Sequence, residues 1–201
     1  MVESHLRLRG VTDERVLQAM GRVPRHEFAP ERFRDQAYED HPLPISEGQT
    51  ISQPYIVALM LEALVLSPED RVLEVGTGSG YVTALLAELV EQVISIERHA
   101  SLADQARELL AALGYGNVRV IAGDGSRGVG EFAPYDAIIV SAAAPRLPQE
   151  LVGQLAESGR MIIPVGEGDS QQLLLISREN GEIVTRYREL CRFVPLISEE
   201  R

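Results

Sequence analysis

The sequence predicts an α/β fold with a doubly wound, mostly parallel sheet and an antiparallel hairpin at its C-terminal end. From Arg71 onward, short apolar runs alternate with longer runs of helical period, which is typical of a parallel sheet covered by helices on both faces. Two later apolar runs flank Asn180-Gly181, a dipeptide typical of a hairpin turn. At 201 residues and 45% hydrophobic content, the chain is long enough for one such domain.

The first 70 residues are predicted to be helical, with one long loop that is rich in Pro, Gly and Ser. The first helix begins at Thr12 or Asp13, carries its apolar residues on one face and ends before Pro24. The predicted helices are 12–23, 30–38 and 55–66, and the loop is 40–54.

Strands and helices alternate in the rest of the chain. The predicted strands are 72–75, 93–97, 118–122, 137–140, 161–165, 173–177 and 183–187, and the predicted helices are 81–90, 102–113 and 149–157. We therefore expect a single domain, 1–201, in three parts: N-terminal helices and loop (1–70), a core (71–166), and a hairpin with a tail (167–201).

Composition excludes several classes of function. The net charge of −11 works against a nucleic-acid partner, which needs a basic face. Every basic residue other than histidine is an arginine, so lysine chemistry such as a Schiff base is excluded. The apolar runs are too short to span a bilayer, the N-terminus lacks a signal segment, and Cys191 is the only cysteine. We expect a cytoplasmic, monomeric protein without a metal site.

A glycine-rich turn follows the first predicted core strand. Its glycines, Gly76, Gly78 and Gly80, are spaced G-x-G-x-G, whereas a dinucleotide site needs a glycine where Tyr81 stands. Glu74, at the strand end, would repel a pyrophosphate but suits a cationic ligand. Glu97 ends the next strand, about 20 residues on, where a carboxylate can bind ribose hydroxyls. The pattern favours S-adenosylmethionine over NAD.

A third acid lies after the third core strand, in Gly123-Asp124-Gly125. An acid flanked by glycines can bind the exocyclic amine of adenine while a backbone N–H approaches the ring. A surface turn is the alternative interpretation of the same three residues. Because ligands of open parallel sheets bind beyond the carboxyl ends of the strands, we expect Asp124 to converge with Glu74 and Glu97.

The loop before the core carries a more specific pattern. Gly48-Gln49-Thr50-Ile51-Ser52-Gln53-Pro54 resembles the signature of the protein-L-isoaspartate (D-aspartate) O-methyltransferase family. This resemblance implies the Rossmann-like fold of class I S-adenosylmethionine-dependent methyltransferases. Similar segments follow in the same order along almost the whole chain: 23–28, 43–45, 74–81, 123–125, 134–140, 142–145, 164–166 and 192–196. Ser126 is a departure, because relatives often carry a larger side chain there, and we expect looser packing beside the adenine.

The resemblance implies protein repair. Methyl transfer from S-adenosylmethionine to the free carboxylate of an L-isoaspartyl residue, with a D-aspartyl residue as a second candidate acceptor, gives an ester and S-adenosylhomocysteine. The ester then closes to a succinimide that can reopen as aspartate. By position, Ser52 is the catalytic hydroxyl. The implied cofactor-binding residues are Glu74, Gly76, Thr77, Gly78, Ser79, Gly80, Glu97, Arg98, Asp124 and Gly125. The implied substrate-binding residues are Thr50, Ile51, Ser52, Pro164, Val165, Arg192, Phe193 and Val194.

The implied reaction needs no general base. A peptide α-carboxyl has a pKa of roughly 3.3 to 3.7, so the acceptor is already an anion at neutral pH and no catalytic histidine is expected. From pattern alone, Ser52 is a candidate helix cap before Pro54. Three alternative functions stay open: esterification of one aspartate in a precursor peptide, methylation of RNA or a small molecule, and a catalytically silent cofactor-binding adaptor. Asn180-Gly181 is itself a deamidation-prone dipeptide.

Overall fold

The computed structural model describes residues 1–198, so the last three residues of the predicted tail lie outside the described residues. The helices are α1 (Glu14–Arg22), α2 (Pro54–Leu64), α3 (Tyr81–Leu89), α4 (Ala100–Ala112) and α5 (Gln149–Gly153). The strands are β1 (Leu43–Pro44), β2 (Thr50–Ile51), β3 (Arg71–Val75), β4 (Gln92–Glu97), β5 (Val118–Ala122), β6 (Tyr135–Val140), β7 (Leu155–Val165), β8 (Gln171–Glu179) and β9 (Glu182–Cys191).

Seven strands form the central sheet, in the order β5-β4-β3-β6-β7-β8-β9. The first five in that order are parallel, and β8 is antiparallel to both of its neighbours, as predicted. The chain crosses from β5 back over the sheet to β6, which pairs with β3 on the side opposite β4. The order of strands therefore reverses at β3, and the carboxyl ends of β3 and β6 open a crevice for a ligand.

Alternation along the central strands separates two apolar cores. Val72 and Val93 pack with α1 to α4 on one face, whereas Leu73, Val75 and Ile94 pack with α5 on the other. A strand turns successive side chains to opposite faces, so a strand buried on both sides is apolar throughout. Two fully buried polar residues, Glu74 on β3 and its neighbour Ser95 on β4, are exceptions to this apolar pattern.

The predicted helix 149–157 is wrong at its C-terminal end, because α5 stops at Gly153 and β7 begins at Leu155. Between them, the Gln154 side chain binds the loop 127–129, accepting from Val129 N (2.9 Å) and donating to Arg127 O (2.7 Å). Its carbonyl accepts from Tyr135 N (2.9 Å). These long-range bonds end the helix, and local propensity does not reveal them.

The C-terminal hairpin is confirmed. Asn180 and Gly181 both have positive φ, 54° and 81°, as a type I′ turn requires, and they join β8 to β9. The N-terminal third is also helical as predicted. Asp13 is the residue that caps α1, with its side chain accepting from Arg15 N and Val16 N, and residues 31–36 form a 3₁₀ helix.

Candidate functional site

A cavity lies at the carboxyl ends of β3, β4 and β6. Eleven of the predicted site residues line it: Thr50, Ile51, Ser52, Gly76, Thr77, Gly78, Ser79, Glu97, Arg98, Gly125 and Val194. They come from the N-terminal loop, the core and the C-terminal segment. The fold therefore brings together residues that are far apart in the sequence.

The glycine loop has the conformation that only glycine adopts without strain. Gly76, Gly78 and Gly80 have φ of 95°, 54° and 89°. Gly76 N donates to Ile96 O at 2.8 Å, which fixes the loop to the end of β4. Gly80 does not line the cavity, and a Cβ there would lie 3.3 Å from Ala106 Cβ on α4. Its role in the structure is close packing between the loop and α4.

Glu97 combines burial with access to the cavity. Its side chain is only 5% exposed, and its two carboxylate oxygens accept from Gly78 N (2.8 Å) and His99 N (2.9 Å). Each carboxylate oxygen has a second lone pair, so both can still accept from a ligand hydroxyl. The carboxylate thus holds the glycine loop and keeps its capacity to bind a diol.

Glu74 lies under the glycine loop and does not line the cavity. Its Oε2 accepts from Thr83 Oγ1 (2.5 Å) and Ser95 Oγ (2.6 Å), and the Ser95 hydroxyl also bonds Thr77 Oγ1 (2.5 Å) in the loop. Its Oε1 has no partner within the described part of the chain. Complete burial raises the pKa of Glu74 to about 8. The structure gives Glu74 a supporting position, not the direct ligand contact that the sequence predicts.

Asp124, the third acid, forms hydrogen bonds within its own loop. Asp124 Oδ1 accepts from Ser126 N (2.9 Å) and from Ser126 Oγ (2.7 Å), so Ser126 braces this turn rather than loosening it. Gly125 lines the cavity and Asp124 does not. A Cβ on Gly125 would lie 2.6 Å from Val75 Cγ1, so only glycine lets this backbone approach the sheet so closely.

Ser52 is not the helix cap. The residue at the start of α2 is Gln53, and the backbone N–H of Tyr55 bonds instead to Asp40 Oδ1 at 3.0 Å. Gln53 Nε2 donates to the same carboxylate at 2.9 Å. The Ser52 hydroxyl has no hydrogen bond to any residue in 1–198, and the side chain is half-buried at the cavity wall. Its hydroxyl is therefore available to a ligand.

Arg25 holds the backbone of Ser52 from below. Although completely buried, this arginine has no carboxylate within ion-pair distance among the described residues. Its Nη2 donates to Ser52 O (2.9 Å), its Nε donates to Ala37 O (2.8 Å), and its guanidinium lies 4.6 Å from the centre of the Tyr81 ring. Tyr81 directly follows the glycine loop. One side chain thus contacts both the Ser52 segment and the start of α3.

The C-terminal segment closes the other side of the cavity. Val194 O accepts from Ala143 N and Ala143 O accepts from Leu196 N, each at 2.7 Å. Arg98, predicted to contact the cofactor, donates to Ile197 O at 3.2 Å. Residues 194–197, here called the strap, line the cavity and are bound to Ala143, which follows β6, and to Arg98, which follows β4.

A second cavity adjoins the first. The two cavities share Thr50, Ser52, Ser141 and Val194 in their walls. Arg192 and Phe193, two of the predicted substrate-binding residues, line only the second cavity, where Arg192 pairs with Asp169 at 2.9 Å. The predicted residues Pro164 and Val165 line neither cavity, and Pro164 O accepts from Ala144 N at 3.0 Å.

Comparison with known proteins gives a family match over residues 1–201 to the protein-L-isoaspartate(D-aspartate) O-methyltransferases. A protein-L-isoaspartate O-methyltransferase from Koribacter versatilis is 54% identical over 100% of this chain and 90% of its own. The chain belongs to the protein-L-isoaspartate(D-aspartate) O-methyltransferase family. The resemblance seen in the sequence is confirmed, and so is the fold class.

Solved structures of the same family share the fold. One protein-L-isoaspartate O-methyltransferase matches with a TM-score of 0.88 and 31% identity, over 98% of this chain and 66% of that protein. A Plasmodium falciparum protein assigned to the same activity, solved in complex with S-adenosyl-L-homocysteine, matches with a TM-score of 0.84 and 34% identity, over 95% and 94% of the two chains.

Sequence reasoning about this family member missed Ser141, which lies in the wall between the two cavities. The available signal was its position directly after β6, at the strand-order reversal where ligands of such sheets bind. Its N–H donates to Val75 O at 2.8 Å and holds the two strand ends together. Within residues 1–198, no helix is long and apolar enough to cross a membrane.

The raised pKa of Glu74 predicts a pH dependence of stability in the ligand-free protein. Its pKa is about 8 in the folded protein and near 4.5 when exposed. The folded state therefore becomes less stable relative to the unfolded state as pH rises from about 4.5 to 8. Glu74→Gln removes this titration. We expect the free energy of unfolding of the wild type, relative to the variant, to fall by about 2 kcal/mol between mildly acidic and mildly alkaline pH.

Urea unfolding of both proteins at several pH values measures this difference. Glu91→Gln, a change of an exposed carboxyl group, is the control and should follow the wild-type curve. If the free energy of unfolding changes with pH in the same way for the wild type and Glu74→Gln, Glu74 is ionised in the folded protein.

Proposed function

We propose that this protein repairs damaged proteins by moving a methyl group from S-adenosylmethionine to the free carboxylate of L-isoaspartyl residues, and of D-aspartyl residues. The main support is the position of the Ser52 hydroxyl, which has no hydrogen bond to any residue in 1–198 and lies in the wall between two adjoining cavities. The first cavity has the features of a nucleoside site, and the second is open to a peptide. The hydroxyl is placed where the methyl donor and the acceptor carboxylate would meet.

The residues of the first cavity fit S-adenosylmethionine. The Glu97 carboxylate can accept from both ribose hydroxyls, and the adenine would lie against Gly125 and Val75, which line the same cavity. Gly76 to Ser79 would carry the methionine part, with Glu74 below them as an acid that becomes easier to ionise when a cation binds above it. The cofactor supplies a methyl group on a sulfonium, which reacts with anions.

The acceptor chemistry needs alignment more than acid–base catalysis. The acceptor carboxylate is ionised at neutral pH, and its charge is cancelled as it attacks the methyl group. Exclusion of water therefore favours the reaction, and the strap together with residues 49–52 provides it. Ser52 would donate one hydrogen bond that orients the carboxylate. A stronger donor set would stabilise the ground state and slow the transfer.

Arg25 adds positive potential to this arrangement. A buried guanidinium without an ion-pair partner is destabilised, which agrees with the burial that lowers the pKa of Arg25. An anionic acceptor bound beside Ser52 would relieve that cost. Its hydrogen bond to Ser52 O also fixes the backbone that carries the hydroxyl. We therefore assign Arg25 as a positioning residue for the acceptor.

After release, the methyl ester is a better electrophile than the carboxylate, because its methoxy group can leave. The neighbouring backbone nitrogen attacks the ester carbonyl, a C–N bond forms and methanol leaves, which gives a succinimide. Addition of water reopens the ring to aspartate or isoaspartate. The repair therefore comes from repeated cycles of one methyl transfer.

The proposal includes isoaspartyl proteins and peptides as partners, no nucleic acid, and a monomeric, cytoplasmic enzyme. The net charge of −11 supports the exclusion of nucleic acid. The single cysteine, buried and free, supports a reducing compartment.

Methyl transfer to paired peptides tests the proposed function. An isoaspartyl peptide should accept tritiated methyl groups from S-adenosylmethionine, and its aspartyl twin should not. Transfer to both twins would favour an enzyme that esterifies ordinary aspartate. Calorimetric binding of S-adenosylmethionine without transfer to any isoaspartyl peptide would favour a silent adaptor and contradict the proposal.

Two substitutions separate the donor and acceptor roles. Glu97→Ala should weaken binding of S-adenosylhomocysteine at least tenfold, because it removes the diol acceptor and a bond to Gly78 N. Ser52→Ala should leave that affinity within about twofold and lower kcat about tenfold or more. Titration calorimetry and initial rates measure the two effects. Wild-type turnover by Ser52→Ala would remove its proposed role.

Arg25 variants test its positioning role. Arg25→Lys keeps the charge but loses the paired bonds to Ala37 O and Ser52 O, so we expect kcat/KM for the peptide to fall about tenfold or more. Arg25→Met also loses the charge, so its kcat/KM should fall further and its KM for the anionic peptide should rise. Binding of S-adenosylhomocysteine should change less than the peptide parameters do.

Arg160 offers a matched control, because it also binds buried backbone carbonyls, at Leu64 and Asp136, away from both cavities. Arg160→Lys should lower the melting temperature while kcat/KM of the folded enzyme is kept. Equal losses of kcat/KM in the Arg25 and Arg160 variants would mean that Arg25 only stabilises the fold.

A further inference from the structure

The turn between β8 and β9 carries the only Asn-Gly dipeptide of the sequence. The chain has two asparagines, and the other, Asn117, precedes a valine and donates through its side chain to Ala87 O and Val90 O, both at 3.0 Å. Asn180 and Gly181 are exposed, and glycine puts no side chain in the way of attack by its own nitrogen. Asn180 is therefore the chemically vulnerable asparagine.

A carboxylate from another strand contacts this turn. Glu157 Oε1, in the irregular first part of β7, accepts a hydrogen bond from Gly181 N at 3.0 Å. Glu179 and Glu182 flank the turn, and the Glu179 carboxylate pairs with Arg186 at 2.9 Å. Glu157 is thus the acid that binds the reactive nitrogen directly.

Deamidation begins at that nitrogen. Gly181 N must lose its proton and attack the side-chain carbonyl carbon of Asn180. A C–N bond then forms, ammonia leaves, and water opens the succinimide to aspartate or isoaspartate. A hydrogen bond to a carboxylate favours the protonated form of the donor, and the negative charge opposes formation of an anion nearby. The hairpin register also keeps Asn180 in the left-handed conformation of a type I′ turn.

We propose that Asn180 is the site at which this chain itself forms isoaspartate, and that the Glu157 carboxylate slows the reaction in the folded protein. The product matters to the fold, because isoaspartate adds a carbon to the backbone and a charge beside Glu157. Neither fits a two-residue turn. Damage there would loosen β9, whose last residues Leu190 and Cys191 line the second cavity.

Ageing of purified variants tests the proposal without using methyl transfer, so the result is independent of the proposed function. Wild type, Glu157→Gln and Glu157→Ala are incubated at neutral pH without S-adenosylmethionine, and peptide mapping by mass spectrometry follows deamidation at Asn180. We expect both variants to deamidate at least threefold faster than wild type, with Glu157→Ala the faster of the two because it loses the acceptor as well as the charge.

Three controls define the outcome. Glu31→Gln, at an exposed glutamate elsewhere, should age like wild type, and Asn117 should stay intact in every protein. In concentrated urea all the proteins should deamidate at Asn180 at one common rate, because the contact exists only in the fold. Equal rates in the folded wild type and Glu157 variants would overturn the proposal, and so would a difference that persists in urea.

Discussion

The buried carboxyl group of Glu74 is the contact on which the donor site depends. It lies in β3, the strand at which the strand order of the sheet reverses, and it binds Thr83 on α3 and Ser95 on β4. Through Ser95 it reaches Thr77 in the glycine loop. Burying an acid is costly, and hydrogen bonds from two hydroxyls reduce that cost. The network fixes the loop before any ligand arrives, so less conformational entropy is lost on binding.

The acceptor side is built differently, from contacts between segments that are distant in the sequence. Asp40 binds the start of α2 in place of a local cap, and Arg25 binds the carbonyl of Ser52. Both leave the Ser52 hydroxyl uncommitted. Arg25 also stacks on Tyr81 at the end of the glycine loop, so donor and acceptor segments share one buried side chain. This arrangement explains how a flexible-looking loop rich in Pro, Gly and Ser can hold a hydroxyl in a defined place.

Sequence patterns predicted the alternating core, the hairpin at Asn180-Gly181 and the glycine loop with Glu97, because each depends on local periodicity, turn chemistry or position after a strand. They did not show that Glu74 lies below the glycine loop, that Gly80 packs against α4 or that Ser52 does not cap α2, since burial and hydrogen-bond partners decide those. The end of α5 depends on Gln154 bonds to residues more than 20 positions away, which no local pattern encodes. Family resemblance identified the acceptor class, whereas the contacts of Arg25 with Ser52 O and of the strap with Ala143 are seen only in the structure.

The methyl donor and the acceptor carboxylate should meet at the Ser52 hydroxyl, in the wall between the two cavities. A crystal structure with S-adenosylhomocysteine and an isoaspartyl peptide tests this placement. We expect adenosine between Glu97 and Gly125, and the peptide in the second cavity with its free carboxylate within hydrogen-bond distance of Ser52 Oγ. A peptide bound elsewhere, or a carboxylate held by other residues with Ser52 facing solvent, would contradict it.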